Sequence, residues 1–122
     1  MKKKIMIIDD ELEILDVLER FLSRNDIFQI ETYSNPAIAI EKAKTDNYDI
    51  VLSDIMMPQV SGLDILETLK SRDSLTKVAL MTAYSNKHKV ERSNELNVDL
   101  YIEKPFQNLR DIENKILNIL GV

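Results

Sequence analysis

Short apolar runs alternate with longer amphipathic stretches along the chain. The first run, residues 5–8, has four consecutive apolar residues, which is typical of a strand buried on both faces. Residues 28–33 instead alternate between apolar and polar positions, which favours a strand near an edge of a sheet. Further apolar runs predict three more strands, at residues 50–52, 78–81 and 100–102.

A helix is predicted after each of these strands. Residues 11–24 and the C-terminal stretch that begins near Leu109 both carry apolar residues at helical spacing. Asn35 followed by Pro36 is a typical helix start, because asparagine can cap the first turn and proline suits its first position. The remaining helices are predicted at residues 36–44, 63–70 and 86–96, the last of them polar.

Five strands that alternate with five helices predict an α/β fold, with a parallel sheet, helices on both faces and right-handed crossovers. The length of 122 residues suits a single domain, and no linker or internal repeat divides residues 1–122. In sheets of this kind, ligands bind outside the carboxyl ends of the strands. We therefore expect the functional residues at those ends.

The composition excludes several classes of site. The chain has no cysteine, which excludes disulfides, thiolate metal sites and thiol catalysis and fits a reducing compartment. Two glycines are too few for a dinucleotide fingerprint or a P-loop, and one histidine excludes an H-E-x-x-H zinc site. The net charge of −5 argues against direct binding to nucleic acid. Asp9 ends the first apolar run, which is too short for a signal peptide or membrane span, so we expect a cytoplasmic protein without membrane contact.

Polar residues suited to phosphoryl chemistry lie at the ends of four predicted strands. Asp9 and Asp10 follow the first strand, Asp54 follows the third, Thr82 ends the fourth and Lys104 follows the fifth. Three neighbouring carboxylates repel one another unless a cation lies between them, and such oxygen ligands suit Mg²⁺. A lysine can pair with phosphate, and a carboxylate can act as a nucleophile that forms an acyl phosphate. The phosphoryl group is expected to come from another protein or a small donor.

Five short motifs resemble the receiver domain of two-component response regulators, and the resemblance covers essentially the whole chain. The chain resembles the single-domain regulators of chemotaxis and sporulation. It implies a doubly wound, flavodoxin-like fold with the strand order 2-1-3-4-5. The motifs are Ile7-Ile8-Asp9-Asp10-Glu11, Asp54-Ile55-Met56-Met57-Pro58, Gly62, Thr82-Ala83 and Lys104-Pro105-Phe106.

The resemblance implies a phosphoacceptor and a metal site. Asp54 resembles the phosphoacceptor. Asp9, Asp10 and Asp54 resemble the carboxylates that hold Mg²⁺, for which Mn²⁺ could substitute, and the backbone carbonyl of Met56 resembles a further ligand. Met56 and Tyr84 occupy flanking positions that tune the lifetime of the phosphoryl group in the family.

The resemblance also implies a switch. Thr82 resembles the hydroxyl that moves toward the phosphoryl group, and Lys104 the lysine that pairs with it. Tyr101 resembles the aromatic residue whose ring changes exposure when the threonine moves, and the Lys104–Pro105 peptide bond is expected to be cis. One departure from the family pattern is Asn97, which stands where the family often has glycine and which tolerates a left-handed conformation.

The function implied is a phosphorylation-dependent signalling switch. A sensor histidine kinase, a phosphotransfer protein or a small phosphodonor phosphorylates Asp54, and the face of the fourth helix, fifth strand and fifth helix then changes. We expect the output to be contact with a downstream protein target. We expect a monomer or a phosphorylation-dependent dimer, and no enzymatic activity beyond the domain's own phosphorylation and autodephosphorylation.

Two other functions compete on the same fold. One is a phosphorylation-independent interaction module. The other is a phosphatase with an aspartyl nucleophile, but that class places a second acid two residues after the nucleophile, where this chain has Met56. A nucleotide or flavin carrier is disfavoured by the low glycine count.

Several residues also have ordinary structural explanations. Asp10 with Glu13 fits the N-cap and capping box of a helix. Tyr101 fits plain packing at a sheet edge. His88 could be a phosphohistidine donor or a metal ligand, but its polar neighbours favour a solvated surface position.

Overall fold

The computed structural model describes residues 2–72, 75–83 and 87–122, and these ranges contain five strands alternating with five helices. The strands are β1 (Lys3–Ile8), β2 (Phe28–Tyr33), β3 (Ile50–Asp54), β4 (Lys77–Thr82) and β5 (Leu100–Glu103). The helices are α1 (Leu12–Leu22), α2 (Pro36–Thr45), α3 (Gly62–Ser71), α4 (Lys87–Glu95) and α5 (Leu109–Leu120). Position 86, where the fourth helix is predicted to begin, lies outside the described residues. None of the helices described here has the length and apolar character needed to cross a membrane.

All four strand pairings are parallel, and the order is β2-β1-β3-β4-β5. The predicted fold class and strand order are therefore confirmed. The central strand β3 is buried at every position, whereas β2 and β5 at the two edges are partly exposed. The apolar runs at residues 5–8, 50–52 and 78–81 form the three inner strands, which are covered on both faces, whereas the short run at residues 100–102 forms an edge strand.

The sheet separates two hydrophobic cores, because successive side chains of a strand point to opposite faces. Ile5 and Ile7 belong to the first core, and Met6 and Ile8 to the second. Helices α1 and α5 cover the first core, whose helical members are Leu15, Leu18, Leu22, Ile112 and Ile116. Helices α2 and α3 supply the second core with Ala39, Ala43, Ile65, Leu66 and Leu69, and Val90 of α4 packs against it.

Four strands, β1, β3, β4 and β5, are longer than predicted, and at β3 and β4 the extension reaches the site. Strand β3 continues through Asp54 and β4 through Thr82. Asp54 pairs with Met81 in the β3–β4 ladder, while Thr82 pairs with Glu103 in the β4–β5 ladder. Both candidate residues are therefore held by the sheet rather than carried on a loop.

The start of α1 differs from the capping interpretation of Asp10. The N-cap residue is Glu11, and no side chain caps this helix, so the capping box between Asp10 and Glu13 is wrong. The turn is closed instead by Asp9, whose Oδ1 accepts a hydrogen bond from the backbone N–H of Glu11 at 2.9 Å. By contrast, Asn35 caps α2 as predicted, with its Oδ1 accepting from the N–H of Ala37 at 2.9 Å.

Gly62 brings the first turn of α3 against the end of β3. Its N–H donates to the carbonyl of Ile55 at 3.0 Å. A Cβ at this position would lie against the backbone carbonyl oxygen of Asp54, 2.9 Å from Cα of Ile55 and 3.0 Å from Cδ2 of Leu80. Only glycine fits this approach, so α3 begins in direct contact with the peptide unit of Asp54.

Candidate functional site

Lys104 lies at the centre of a group of carboxylates. Its Nζ is 2.7 Å from Asp9 Oδ2, 3.4 Å from Asp54 Oδ2 and 3.8 Å from Glu11 Oε1. Asp9 directly follows β1, Asp54 ends β3 and Lys104 directly follows β5. Parallel strands end at the same edge of a sheet, and this brings together residues that are far apart in the chain.

Burial sets the electrostatics of this group. Asp9 is fully buried, Asp54 is 7% exposed and the Lys104 side chain is 14% exposed. Burial raises the pKa of both aspartates above the ordinary value, and the ammonium group of Lys104 opposes that rise. Burial alone would lower the pKa of Lys104, but its hydrogen bond to Asp9 and the charge of Asp54 raise it above the ordinary value.

The donor set fits a hard divalent cation. Asp9, Glu11 and Asp54 each offer a carboxylate oxygen, and these oxygens lie within 4.8 Å of one another. Three ionised carboxylates beside one ammonium leave an excess of negative charge, which a divalent cation would neutralise. All the ligands are oxygens, as Mg²⁺ and Mn²⁺ prefer.

Each buried aspartate also holds the backbone of the loop that follows it. Asp9 Oδ1 accepts from the N–H of Glu11 at 2.9 Å, and Asp54 Oδ1 accepts from the N–H of Met56 at 3.3 Å. The Oδ2 atoms of both aspartates face Lys104. One oxygen of each carboxylate thus shapes its loop, while the other is directed into the site.

The structure brings together most of the residues predicted for the site. Asp9, Asp54 and Lys104 are in contact, and the backbone carbonyl of Thr82 accepts from the N–H of Lys104 at 2.8 Å. Thr82 is buried on the strand next to Asp54. Met56 is exposed directly beside the site.

Glu11 is the residue that the sequence analysis did not single out. Among the described residues, the group that could hold a metal ion contains Glu11 and not Asp10, although both residues are exposed. Glu11 follows the acidic pair in the first motif, but the sequence pattern alone does not distinguish it from an ordinary surface residue. The contribution of Asp10 to a metal site stays a prediction.

Tyr101 lies on β5, and its side chain contacts α4. Its hydroxyl is 3.0 Å from the carbonyl oxygen of Val90 and 2.9 Å from Asn94 Oδ1, and it also contacts the hydroxyl of Ser93. The Lys104–Pro105 peptide bond is cis. His88 is exposed on α4, away from the acidic group, and Tyr84 lies outside the described residues.

Comparison with known sequences identifies a family for this chain. The family model of the response regulator receiver domain matches residues 5–117. Sporulation initiation phosphotransferase F of Bacillus subtilis is 32% identical over 124 residues, which cover 96% of this chain and 95% of that protein. The alkaline phosphatase synthesis transcriptional regulatory protein PhoP of Bacillus subtilis is 29% identical over 98% of this chain, which spans only 49% of that protein. The chain likewise spans 42% of the transcriptional regulatory protein ResD of Bacillus subtilis, with 32% identity.

Comparison with solved structures agrees with the sequence match. A CheY-like response regulator receiver domain protein from Methanospirillum hungatei superimposes with a TM-score of 0.89 and 29% identity, over 99% of this chain and 95% of that chain. The BeF3-activated receiver domain of DrrB, a response regulator of Thermotoga maritima, matches over the full length of both chains with a TM-score of 0.87 and 25% identity.

Proposed function

Since the chain belongs to the family of response regulator receiver domains, we propose that it is a signalling switch whose phosphoacceptor is Asp54. The observation that carries this assignment is the position of Asp54 at the end of the central strand, with Oδ2 3.4 Å from the ammonium group of Lys104. A buried carboxylate beside a buried cation is suited to attack a phosphoryl group, because the developing charge is neutralised where it forms.

The phosphoryl transfer is a simple displacement. One carboxylate oxygen of Asp54 forms a bond to phosphorus, and the bond from phosphorus to the donor breaks. When the donor is a phosphohistidine, its imidazole leaves as the neutral base after taking up a proton. Lys104 lies close enough to pair with the transferred phosphoryl group.

The carboxylates support a metal-dependent reaction. Asp9, Asp10 and Asp54, with the backbone carbonyl of Met56, are the proposed ligands, and Glu11 adds charge to the same pocket. Mg²⁺, or Mn²⁺ in its place, would neutralise the incoming phosphoryl oxygens when bound. The protein itself supplies the nucleophile, the ammonium group and the fixed strand ends.

The proposed response begins at Thr82 and Lys104. A phosphoryl group on Asp54 adds negative charge at the end of β3, toward which both side chains move. Tyr101 then changes its exposure, and the face formed by α4, β5 and α5 repacks. This is a local change of charge that biases a two-state element.

The proposed partners are proteins on both sides of the switch. A sensor histidine kinase or a phosphotransfer protein, or else a small phosphodonor, would supply the phosphoryl group, and a downstream protein target would bind the changed face. We propose a cytoplasmic protein that is a monomer or a phosphorylation-dependent dimer and makes no direct contact with nucleic acid or membrane. The net charge of −5 supports the exclusion of nucleic acid.

The alternative of an aspartyl phosphatase is not favoured. Its second acid would stand at Met56, which is an exposed apolar residue. We propose that the domain catalyses only its own phosphorylation and autodephosphorylation.

The decisive experiment is intact-mass spectrometry after incubation with acetyl phosphate, with and without Mg²⁺. We expect one phosphoryl adduct on the wild type with Mg²⁺, and none on Asp54→Asn. Asp26→Asn, at an exposed position, is the matched control and should be labelled like the wild type. Sustained labelling of Asp54→Asn at another carboxylate would overturn the assignment. Absence of both a phosphoryl and a beryllofluoride adduct on the wild type would leave the phosphorylation-independent interaction module.

A further inference from the structure

Helix α4 has little apolar surface with which to hold its place on the sheet. Its sequence contains one apolar residue, Val90, which is half-buried. Among the α4 side chains that are described, residues 88–95, only the small polar Ser93 is fully buried. A helix with so narrow an apolar stripe gains little from burial, so its polar contacts carry an unusual share of its attachment.

The main polar contact described for α4 is the hydroxyl of Tyr101 on β5. This oxygen lies 3.0 Å from the carbonyl oxygen of Val90 and 2.9 Å from Asn94 Oδ1, and it contacts Ser93 Oγ. The Ser93 hydroxyl itself donates to the Val90 carbonyl at 2.7 Å. One phenolic proton is therefore surrounded by three oxygen acceptors, all on one turn of α4.

Tyr101 is also tied to the acidic site through the sheet. It lies opposite Leu80 on β4, and two residues later Glu103 lies opposite Thr82. The next residue, Lys104, donates its backbone N–H to the Thr82 carbonyl at 2.8 Å. A movement of Thr82 or Lys104 is thus transmitted to the strand that carries the tyrosine.

We propose that Ser93 and Asn94 form a docking site for the Tyr101 hydroxyl that holds α4 against β5. This inference rests on the proposed function, since the docking site is meant to oppose the activated state. When Tyr101 changes its exposure in the proposed response, the loss of its hydrogen bonds to α4 reduces the apparent affinity of the protein for a phosphoryl group or its mimic. Ser93 and Asn94 are then positioning residues that set how readily the switch responds.

The test uses beryllofluoride, which stands in for the phosphoryl group on Asp54, titrated in the presence of Mg²⁺. Asn94→Ala and Tyr101→Phe remove one side of the contact. Asn94→Asp keeps an acceptor oxygen at the same place and should restore wild-type behaviour. Glu91→Ala, an exposed substitution on the same helix, controls for the change in helix propensity.

We expect the apparent dissociation constant for beryllofluoride to fall about 2- to 10-fold in Asn94→Ala and Tyr101→Phe, the range that a net hydrogen bond supplies. Without ligand, the backbone amides of α4 should exchange with solvent faster in both variants than in Glu91→Ala. Exchange rates equal to those of the wild type in both variants would overturn the docking site. Failure of the wild type to bind beryllofluoride would instead contradict the proposed function. The docking site would still be tested in that case, because the exchange rates are measured without ligand.

Discussion

The ammonium group of Lys104 lies closer to Asp9 than to Asp54, at 2.7 Å against 3.4 Å. Asp9 is fully buried, so its negative charge depends on this ion pair. A phosphoryl group on Asp54 would compete for the same ammonium group. We therefore expect phosphorylation and cation binding to be coupled. A bound cation can neutralise Asp9 when the ammonium group of Lys104 moves toward the phosphoryl group.

The first prediction concerns removal of that ammonium group. Lys104→Met should lower the free energy of unfolding by about 3 kcal/mol near neutral pH, because Asp9 is left as a buried carboxylate without its partner. The loss should shrink as the pH falls, since a protonated Asp9 no longer needs a counter-charge. Urea denaturation in the presence of EDTA measures both effects. Lys115→Met, at an exposed position, should change little, and equal losses in the two variants would contradict the prediction.

The second prediction concerns the pH dependence of Asp54. Burial raises its pKa above the ordinary value of 3.8, so the folded protein holds this proton more strongly than the unfolded chain does. The contribution of Asp54 to the free energy of unfolding therefore falls as the pH rises from 3.8 through the raised pKa. Above the raised pKa, the full destabilisation by the buried carboxylate is present.

Asp54→Asn removes this cost. Without Mg²⁺, it should raise the free energy of unfolding near neutral pH, with a smaller gain at acidic pH. Chemical denaturation across this pH range provides the measurement. Asp26→Asn, at an exposed position, controls for the substitution itself, and a destabilised Asp54→Asn near neutral pH would refute the sign.

The third prediction concerns the metal. Mg²⁺ should raise the melting temperature with the logarithm of its concentration above the dissociation constant, and a concentration 100 times the dissociation constant should add about 2.7 kcal/mol. Mn²⁺ should act similarly, and EDTA should reverse either effect. Asp9→Asn and Asp54→Asn should lose most of the response, whereas Glu13→Gln, on the exposed side of α1, should keep it. A full response in both aspartate variants would place the cation elsewhere.

The fourth prediction concerns Gly62. Alanine is the better helix former, so intrinsic propensity alone predicts a gain in stability for Gly62→Ala. The added Cβ would instead press against the backbone of Asp54 and Ile55, and we expect a loss of about 2 kcal/mol in thermal denaturation. The phosphorylation rate should fall as well, because the end of β3 must shift.

Gly121→Ala is an instructive comparison for this prediction. Its φ is 74°, but nothing lies within 4 Å of the added Cβ, so the cost is conformational and about 1 kcal/mol. It should leave phosphorylation unchanged. A Gly62→Ala variant as stable as the wild type would contradict the close approach.

The sequence was sufficient for the features that follow from topology. Carboxyl ends of parallel strands meet at one edge, so Asp9, Asp54 and Lys104 could be grouped without knowledge of any side-chain conformation. The backbone at two further positions was also predictable. Asn35 caps its helix, and Asn97 has the left-handed conformation expected of it, with a φ of 64°.

Features that depend on one or two residues of register could not be predicted. The first helix begins after Glu11 rather than after Asp10, which removes the capping box and brings the Glu11 carboxylate to the site. The three acceptors around the Tyr101 hydroxyl depend on how α4 lies across β5, and a nearly polar helix gives no periodic signal for that placement. Lys104 could be assigned to the site, but its preference for Asp9 required the geometry.

The sheet divides the hydrophobic interior into two cores, and this affects which substitutions influence Tyr101. The residues that support α1 and α5 share no core with those that support α2, α3 and α4, while Tyr101 packs with the second group. Substitutions beneath α1 can thus remodel that flank without loosening the tyrosine. The packing beneath α1 and the packing around Tyr101 can therefore change independently of each other.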